Sequence, residues 1–353
     1  MQQMLIRTAG VQPMLPALIQ PELPVIERPK QVITVEPVVL PSLLEPSKNL
    51  PFIEANTKEV EVSHLKNDCI IPVFSKDNEV TISHQSFIDT VVDAAYQVFP
   101  QEDISSPSIR VSHVVKGRIP EAIHKPVKDL LESDKTIYYE RMMFCFEIPS
   151  LYEDVCGNRL HLTIGGVRAY NHENLYSKKT FEKFKIFIGF KNLVCCNLCV
   201  STDGLKSEVR ATCIADIARV AVELFQSYNI QKHLMYMSAY QNVSLTESQF
   251  AHFVGRARLY QYLPTAEKKQ IPQMLLTDTQ IGAVARSYFQ DDNFAAGADK
   301  EISLWKFYNL LTGANKSSYI DDFLDRALNA SQIADGLTDA LSYGDNGYSW
   351  FLQ

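Results

Sequence analysis

The hydrophobic periodicity of the sequence changes near residue 206 from strand-like to helical spacing, and this change limits the fold class more than any other feature. Between residues 107 and 202, apolar residues alternate with polar ones or form short continuous runs, which is typical of β-strands. From residue 206 onwards they recur three or four positions apart, most clearly over 214–228, which is typical of amphipathic helices. Strands followed by helices indicate an α+β protein. We therefore predict a central, mostly antiparallel sheet (about 107–202) with a preceding helix and a C-terminal helical half.

Capping residues and prolines mark individual helices. The preceding helix is predicted over 87–99, where apolar residues recur with helical spacing until Pro100 stops them. Thr246 and Gln249 have the spacing of a capping box, a reciprocal pair of side-chain and backbone hydrogen bonds that opens a helix. Further helices are predicted at 124–131, 277–289, 304–312 and 318–328.

Proline distinguishes the N-terminus from the rest of the chain. Residues 1–51 hold nine of the 17 prolines. Because proline lacks a backbone donor and blocks helix continuation, we expect an extended arm there. This arm is either a tail laid along its own core or a docking segment for a partner or a second subunit. The predicted organisation is thus a proline-rich arm (1–51), an α+β sheet domain (52–205) and a helical region (206–353) packed on it.

Composition argues against several classes of protein. The formal charge of −7 argues against a generally basic nucleic-acid coat but leaves room for a local basic face. The seven cysteines are an odd number, with Cys195 and Cys196 adjacent, which favours a reducing compartment over a secreted disulfide framework. No apolar run reaches the roughly 18 residues of a membrane helix. We therefore expect a cytoplasmic protein without a membrane partner.

Two segments concentrate positive charge inside this acidic chain. Residues 107–128 and 168–191 each carry a net charge of +4, and aromatic residues such as Phe181 interleave the second. This mixture suits single-stranded nucleic acid, because cations meet the phosphates while exposed rings stack on bases at ~1–3 kcal/mol each. The alternative is an ordinary solvated face with the rings in the core. The predicted nucleic-acid-binding residues are Arg110, Lys116, Arg118, Lys125, Arg168, Tyr170, Tyr176, Lys178, Lys179 and Lys183.

The other chemical patterns in the sequence are incomplete. Cys196 and Cys199 form one CxxC pair, but a structural zinc site needs four ligands, and although Cys213 or His161 could contribute, no clean second pair exists beside Cys195 and Cys196. Buried thiols that pack as small apolar groups explain the cluster as well. The glycines at 165–166 predict a hairpin turn, with close approach of a ligand to the backbone as the alternative. No hydrolase, zinc-protease or kinase motif is present, so we assign no catalytic residue, metal or cofactor.

Three stretches of the sequence carry a family resemblance: LTIGGVRAY (162–170), NLVCCNL (192–198), and WKFYNLLT (305–312) with NKSSY (315–319). Together they resemble an uncharacterised family from mobile elements of gut Bacteroides-type bacteria, related to phage- and plasmid-related proteins of unknown function. The resemblance covers about residues 52–353 and implies a mobile-element setting without implying catalytic residues. Within the third stretch, Asn309 and Thr312 lie on one helix face, and we expect them to join two helices.

These observations predict an accessory protein of a phage- or plasmid-like element that binds nucleic acid, in particular single-stranded DNA in recombination, replication or protection. The alternative is a non-catalytic assembly protein that uses the proline-rich arm and the helical half, as a homo-oligomer or with a protein partner through residues 1–50. A metal-dependent nuclease is a third hypothesis. It rests on carboxylates such as Glu140, Glu147 and Asp154, whose relative positions the sequence does not define.

Overall fold

The computed structural model of the chain confirms the predicted fold class. An antiparallel sheet comes first along the chain, and most of the helices follow it. The arm predicted over residues 1–51 lies outside the described residues, apart from its last two positions. The residues that the structure describes are 50–69, 81–122, 124–173, 181–344 and 346–353.

A seven-stranded antiparallel sheet forms the centre of the fold. Six strands lie beside one another in chain order, and the seventh returns to pair with the fifth. This neighbour-to-neighbour order agrees with the predicted, mostly antiparallel sheet, although the sheet extends beyond residue 202. The strands are β1 (Lys58–Val60), β2 (Ser108–Arg118), β3 (Lys135–Val155), β4 (Asn158–Ala169), β5 (Glu182–Asn192), β6 (Leu198–Cys199) and β7 (Leu205–Ala211).

Both faces of the sheet are covered. Successive side chains of a strand point to opposite faces, so β3 contributes Phe144 to the main core and Met143 to a second core. The second core contains Val167 and Phe187 of the sheet together with Phe323 from the last long helix. Because both faces are buried, these strands appear in the sequence as nearly continuous apolar runs.

Gly165 and Gly166 lie in the middle of β4, where they pair with Cys145 and Phe144 of β3. The predicted hairpin turn is therefore wrong. A Cβ atom at Gly166 would lie 2.6 Å from the ring of Phe87, which belongs to the helix packed on this face. The glycine is needed because an aromatic side chain approaches the strand backbone there, and that ring fills the space that the ligand hypothesis required.

The helix over Glu247–Tyr260 begins where its capping residues predict. Thr246 accepts a hydrogen bond from the backbone N–H of Gln249, and the Gln249 side chain accepts one from the Thr246 N–H, so the predicted capping box is confirmed. The helices are α1 (Val62–Asn67), α2 (His84–Val98), α3 (Ile214–Ser227), α4 (Ile230–Ala239), α5 (Glu247–Tyr260), α6 (Thr265–Lys268), α7 (Asp278–Gln290), α8 (Leu304–Asn315) and α9 (Ile320–Tyr343). A small ribbon of β8 (Ser244–Leu245) and β9 (Ile302–Ser303) lies among them.

Some local predictions differ from the structure. The helix predicted at 124–131 is replaced by short 3-10 turns, including Val127–Asp129, because Pro126 interrupts helical hydrogen bonding. The last helix continues to Tyr343 instead of ending near residue 328, because its apolar spacing continues through Ile333 and Leu337. None of the helices among the described residues has both the length and the apolar composition needed to cross a membrane.

Buried asparagines join the sheet to α8. The Asn192 side-chain amide donates to Asn309 Oδ1 at 3.1 Å, and the Asn197 amide donates to the Asn309 backbone carbonyl at 3.0 Å. Thr312 donates to the Tyr308 carbonyl of its own helix. The expectation that Asn309 and Thr312 join two helices is therefore wrong, because Asn309 binds the sheet. Two of the stretches that carry the family resemblance are in contact here.

Candidate nucleic-acid interface

The register of the sheet brings one part of each basic segment to the same end of the sheet. Ser112 of β2 pairs with Arg141 of β3, which in turn pairs with Ala169, the last residue of β4. β2 and β3 continue past this point as a hairpin that carries Lys116 and Arg118. The second basic segment, residues 168–191, begins at the end of β4, and its lysine at the start of β5, Lys183, lies at this same end of the sheet. Residues far apart in the sequence therefore lie at the same end of the sheet.

Most predicted residues on the hairpin side are engaged within the protein. Arg110 contacts residues 57–59, where its Nε donates to a threonine hydroxyl at 3.1 Å and its Nη1 lies 3.6 Å from a glutamate. Arg118 donates to the carbonyl of Lys125 at 2.6 Å. Lys125 Nζ forms an ion pair with Asp134 at 2.8 Å. These three cations therefore have protein partners that a nucleic acid would have to replace.

Arg168 and Tyr170 lie in the core. Arg168 is fully buried, forms ion pairs with Glu173 and Glu182, and donates to the carbonyl of Ile82. Burial by itself lowers the pKa of Arg168, but the nearby Tyr170, Glu173 and Glu182 outweigh it and hold this pKa above its usual value. Tyr170 is 1% exposed and its ring centre lies 4.3 Å from the guanidinium. The prediction that these two residues line an exposed groove is wrong, because they link the start of α2 to the sheet.

The remaining predicted residues belong to the connection between β4 and β5. Tyr176, Lys178 and Lys179 lie outside the described residues, so their assignment stays a prediction. Lys183 is exposed at the start of β5. Two positions before it, the ring of Phe181 is 52% exposed, so this ring can contact a ligand.

Three lysines and one ring define what we call the sheet-end surface: Lys116, Lys128, Phe181 and Lys183. The lysines are exposed, and none forms an ion pair with any residue in the described part of the chain. Three strand spacings and about four residues along the strands separate Lys116 from Lys183, which corresponds to roughly 20 Å. The surface is therefore long enough for several nucleotides of an extended strand.

A histidine cluster near this end of the sheet resembles the arrangement of nucleophilic enzymes. His64 Nδ1 lies 2.8 Å from Asp68 Oδ2, and His64 Nε2 lies 3.1 Å from the Tyr139 hydroxyl and 3.7 Å from Cys69 Sγ. A nucleophilic cysteine needs a lowered pKa. Here burial, followed by the charge of Asp68, raises the pKa of Cys69 to about 11. The cluster does not supply a thiolate, and we assign no catalysis to it.

The sequence did not predict a second polar cluster, which is formed by Glu147, His161 and Lys191. Glu147 Oε2 lies 2.7 Å from His161 Nδ1, and Glu147 Oε1 lies 2.7 Å from Lys191 Nζ. The three residues come from β3, β4 and β5, and His161 pairs directly with Lys191 in the register. No sequence motif marks them, because only strand pairing brings them together.

The cysteines behave as apolar side chains. All seven are free thiols. Burial raises the pKa of Cys195 and of Cys199 to about 12, which keeps these thiols neutral. Cys213 is exposed and precedes α3. Among the described residues, no group of three or more histidine, cysteine, aspartate or glutamate side chains is placed to hold a metal ion.

Comparison with known proteins identifies a family for this chain but does not indicate an activity. A family model with the description "Domain of unknown function, B. Theta Gene description (DUF3871)" matches residues 33–352. This match agrees with the predicted resemblance to a Bacteroides-type family, whereas the mobile-element setting stays a prediction. Neither the curated proteins nor the solved structures contain a match.

Proposed function

Because this chain belongs to the DUF3871 family, a domain of unknown function, we propose its function from its own surface: it binds single-stranded nucleic acid. In this proposal Lys116, Lys128 and Lys183 contact the phosphates, and Phe181 stacks on a base. Single-stranded DNA is the ligand that the predicted mobile-element setting favours, in recombination, replication or strand protection. The protein acts as a binding accessory and catalyses no reaction in this scheme.

The observation that supports the proposal is the common position of the sheet-end surface. The β2–β3 hairpin with Lys116 and the start of β5 with Lys183 lie at one end of the sheet, and these exposed lysines have no carboxylate partner among the described residues. An exposed aromatic ring lies beside Lys183. Cations near a stacking platform are the combination that proteins use to bind single strands without strong sequence preference.

The amount of free charge favours single strands over a duplex. The whole chain carries a formal charge of −7, so its overall field repels nucleic acid and binding depends on the local surface. Each phosphate contact to a single strand adds about −0.7 to the slope of log K against log salt. Three lysines therefore predict a slope of about −2, which corresponds to a modest, salt-sensitive affinity.

A fluorescent 15-nucleotide oligonucleotide tests the proposal by anisotropy over a range of salt concentrations. We expect Lys116→Gln and Lys183→Gln each to weaken binding and to reduce the salt slope by about 0.7, because each removes one phosphate contact. Phe181→Ala should weaken binding by ~1–3 kcal/mol without changing the slope, because stacking involves no counterion release.

Lys232→Gln is the matched control, because Lys232 is an exposed lysine in the first turn of α4, within the helical half. It should leave both the affinity and the salt slope unchanged. Wild-type affinity in the double variant Lys116→Gln/Lys183→Gln would refute the assignment of this surface. The alternative assembly role remains a prediction, since residues 1–49 lie outside the described range.

A further inference from the structure

A cleft of about 310 Å³ lies at the same end of the sheet and is lined in part by Lys183. Its walls are the ends of β4 and β5, part of β7 and the first two turns of α9. Pockets for small ligands begin at about 300 Å³. The cleft is therefore suited to one compact chemical group, such as a single base, and not to a length of strand.

The basic side chains beside Asp321 already have partners, whereas Lys183 on the wall of the cleft has no ion-pair partner among the described residues. Lys185 Nζ lies 2.6 Å from Asp325 Oδ2 and 2.6 Å from the backbone carbonyl oxygen of Asp321. Arg141 Nε lies 3.6 Å from Asp321 Oδ2, and His172 Nε2 lies 3.3 Å from the same oxygen. The side chains of Lys185, Arg141 and His172 thus contact oxygen atoms of α9. They have few hydrogen-bond donors left for an anionic ligand deep in the cleft.

Asp321 retains an unused acceptor. The residue is 9% exposed, and its Oδ1 atom is buried and makes no hydrogen bond to any of the residues that the structure describes. A buried acceptor without a donor costs free energy that a suitable ligand can recover. The terminal torsion of an aspartate is broad, so a rotation of the carboxylate turns the unused oxygen towards the cleft. The Oδ1 atom of Asp321, and not the cleft as a whole, is therefore the group that a ligand N–H donor can satisfy.

Alternation along β5 connects this cleft to the sheet-end surface. Side chains two positions apart in an extended strand lie on the same face. Lys183 and Lys185 therefore lie on the same face of β5 and both line the cleft, and Phe181 directly precedes this strand. A strand that stacks on Phe181 and contacts Lys183 passes directly beside the opening.

We infer that the cleft takes one base of the bound strand and that Asp321 accepts a hydrogen bond from the exocyclic amino group of that base. This inference rests on the proposed function and adds a base preference to it. Adenine and cytosine present an amino donor where thymine presents a carbonyl acceptor. A thymine carbonyl oxygen and the Asp321 carboxylate are both acceptors, so they cannot form a hydrogen bond with each other. Bases that carry an amino group should therefore bind more tightly.

The test compares two oligonucleotides that differ by one functional group. One is a 15-nucleotide strand of deoxyadenosine, and the other carries unsubstituted purine, which lacks only the amino group, at every position. We expect the wild-type protein to bind the adenine strand roughly tenfold more tightly, within the range of discrimination that a base-specific hydrogen bond provides. Equal affinity for both strands would overturn the inference and leave the proposed function intact. A lack of binding to either strand would overturn both.

Asp321→Asn and its neighbour Asp322→Asn form a matched pair of variants. Both remove one negative charge from the first turn of α9, so any effect on the helix dipole is shared. Asp322 pairs with Arg326 at 3.2 Å, and its side chain is 52% exposed. We expect Asp321→Asn to lose the preference for adenine, since an amide can donate as well as accept, and Asp322→Asn to keep it.

An unchanged preference in folded Asp321→Asn would overturn the inference, as would loss of the preference in both variants. Thermal unfolding of each variant establishes that it is folded. Should Asp321→Asn fail to fold, the comparison of adenine with purine on the wild-type protein decides the question alone.

Discussion

At Glu147, two opposing effects set the protonation of a half-buried carboxyl. Burial raises its pKa, whereas hydrogen bonds and charge from His161 and Lys191 outweigh burial and lower the pKa from 4.5 to about 2. A carboxyl with a lowered folded pKa contributes stability that is present above its unfolded pKa and is lost as the pH falls through its folded pKa. This contribution should therefore disappear between about pH 4.5 and pH 2.

Glu147→Gln tests this balance. We expect it to lower the free energy of unfolding by roughly 2–3 kcal/mol at pH 7, because each pKa unit corresponds to ~1.4 kcal/mol and solvent screens part of the interaction. The loss should shrink as the pH falls from about 5 towards 2. Urea unfolding at pH 7, 5 and 3 measures it.

Glu153→Gln provides the control, because Glu153 is an exposed carboxylate on the same strand. It should change the stability by less than ~0.5 kcal/mol. A loss in Glu147→Gln that stays the same at all three pH values would show that the cluster contributes packing and not charge.

At the level of secondary-structure elements, the contact between helix α8 and the sheet depends on polar side chains in the core. Asn192, Asn197 and Asn309 are each at most 2% exposed, and their side-chain amides form the hydrogen bonds that link the two elements. A buried amide without its partner is costly. This contact should therefore orient α8 on the sheet more specifically than apolar packing alone.

A double-mutant cycle measures this contact. We expect Asn192→Ala and Asn309→Ala each to destabilise the protein and to show a coupling energy of about 1 kcal/mol, as interacting residues do. Asn329 is the control partner, because it binds the backbone of residues 273–275 elsewhere in the core. Asn192→Ala and Asn329→Ala should be additive, and additivity in the first pair would contradict the proposed link.

At the level of the whole molecule, the sheet and the helical half share one hydrophobic core. Phe144 and Phe190 of the sheet belong to the same cluster as Phe253 and Leu311 of the helices, and residues 45–353 form one compact unit. Neither half can bury its apolar surface alone. We therefore expect a single cooperative unfolding transition for this unit.

Calorimetry together with tryptophan fluorescence tests this expectation. Both tryptophans, Trp305 and Trp350, lie in the helical half, so their fluorescence reports on that part, whereas the heat of unfolding reports on the whole. The two midpoints should coincide, as they do for a two-state protein. A truncated chain that ends at residue 205 should fail to fold. Two resolved transitions would show instead that the halves are separate domains.

The outline of the fold was predictable because its signals are local. The change of hydrophobic period near residue 206 predicted strands followed by helices, and the pair Thr246 and Gln249 predicted the start of α5. Both signals depend on residues within a few positions of each other. The wrong helix at 124–131 had a local reason too, because Pro126 lies inside that segment.

The surface was less predictable, because pairing and burial depend on distant residues. Sequence charge alone could not separate Arg168, which is buried in the core, from Lys183, which is exposed. It could not place Phe87 against Gly166 either. The sequence by itself determined which segments form strands and helices, since backbone preference and periodicity are local. Only the tertiary structure decided which of the described cations remain without an ion pair and which carboxylate oxygen lacks a donor, since strand register and helix packing bring those groups together.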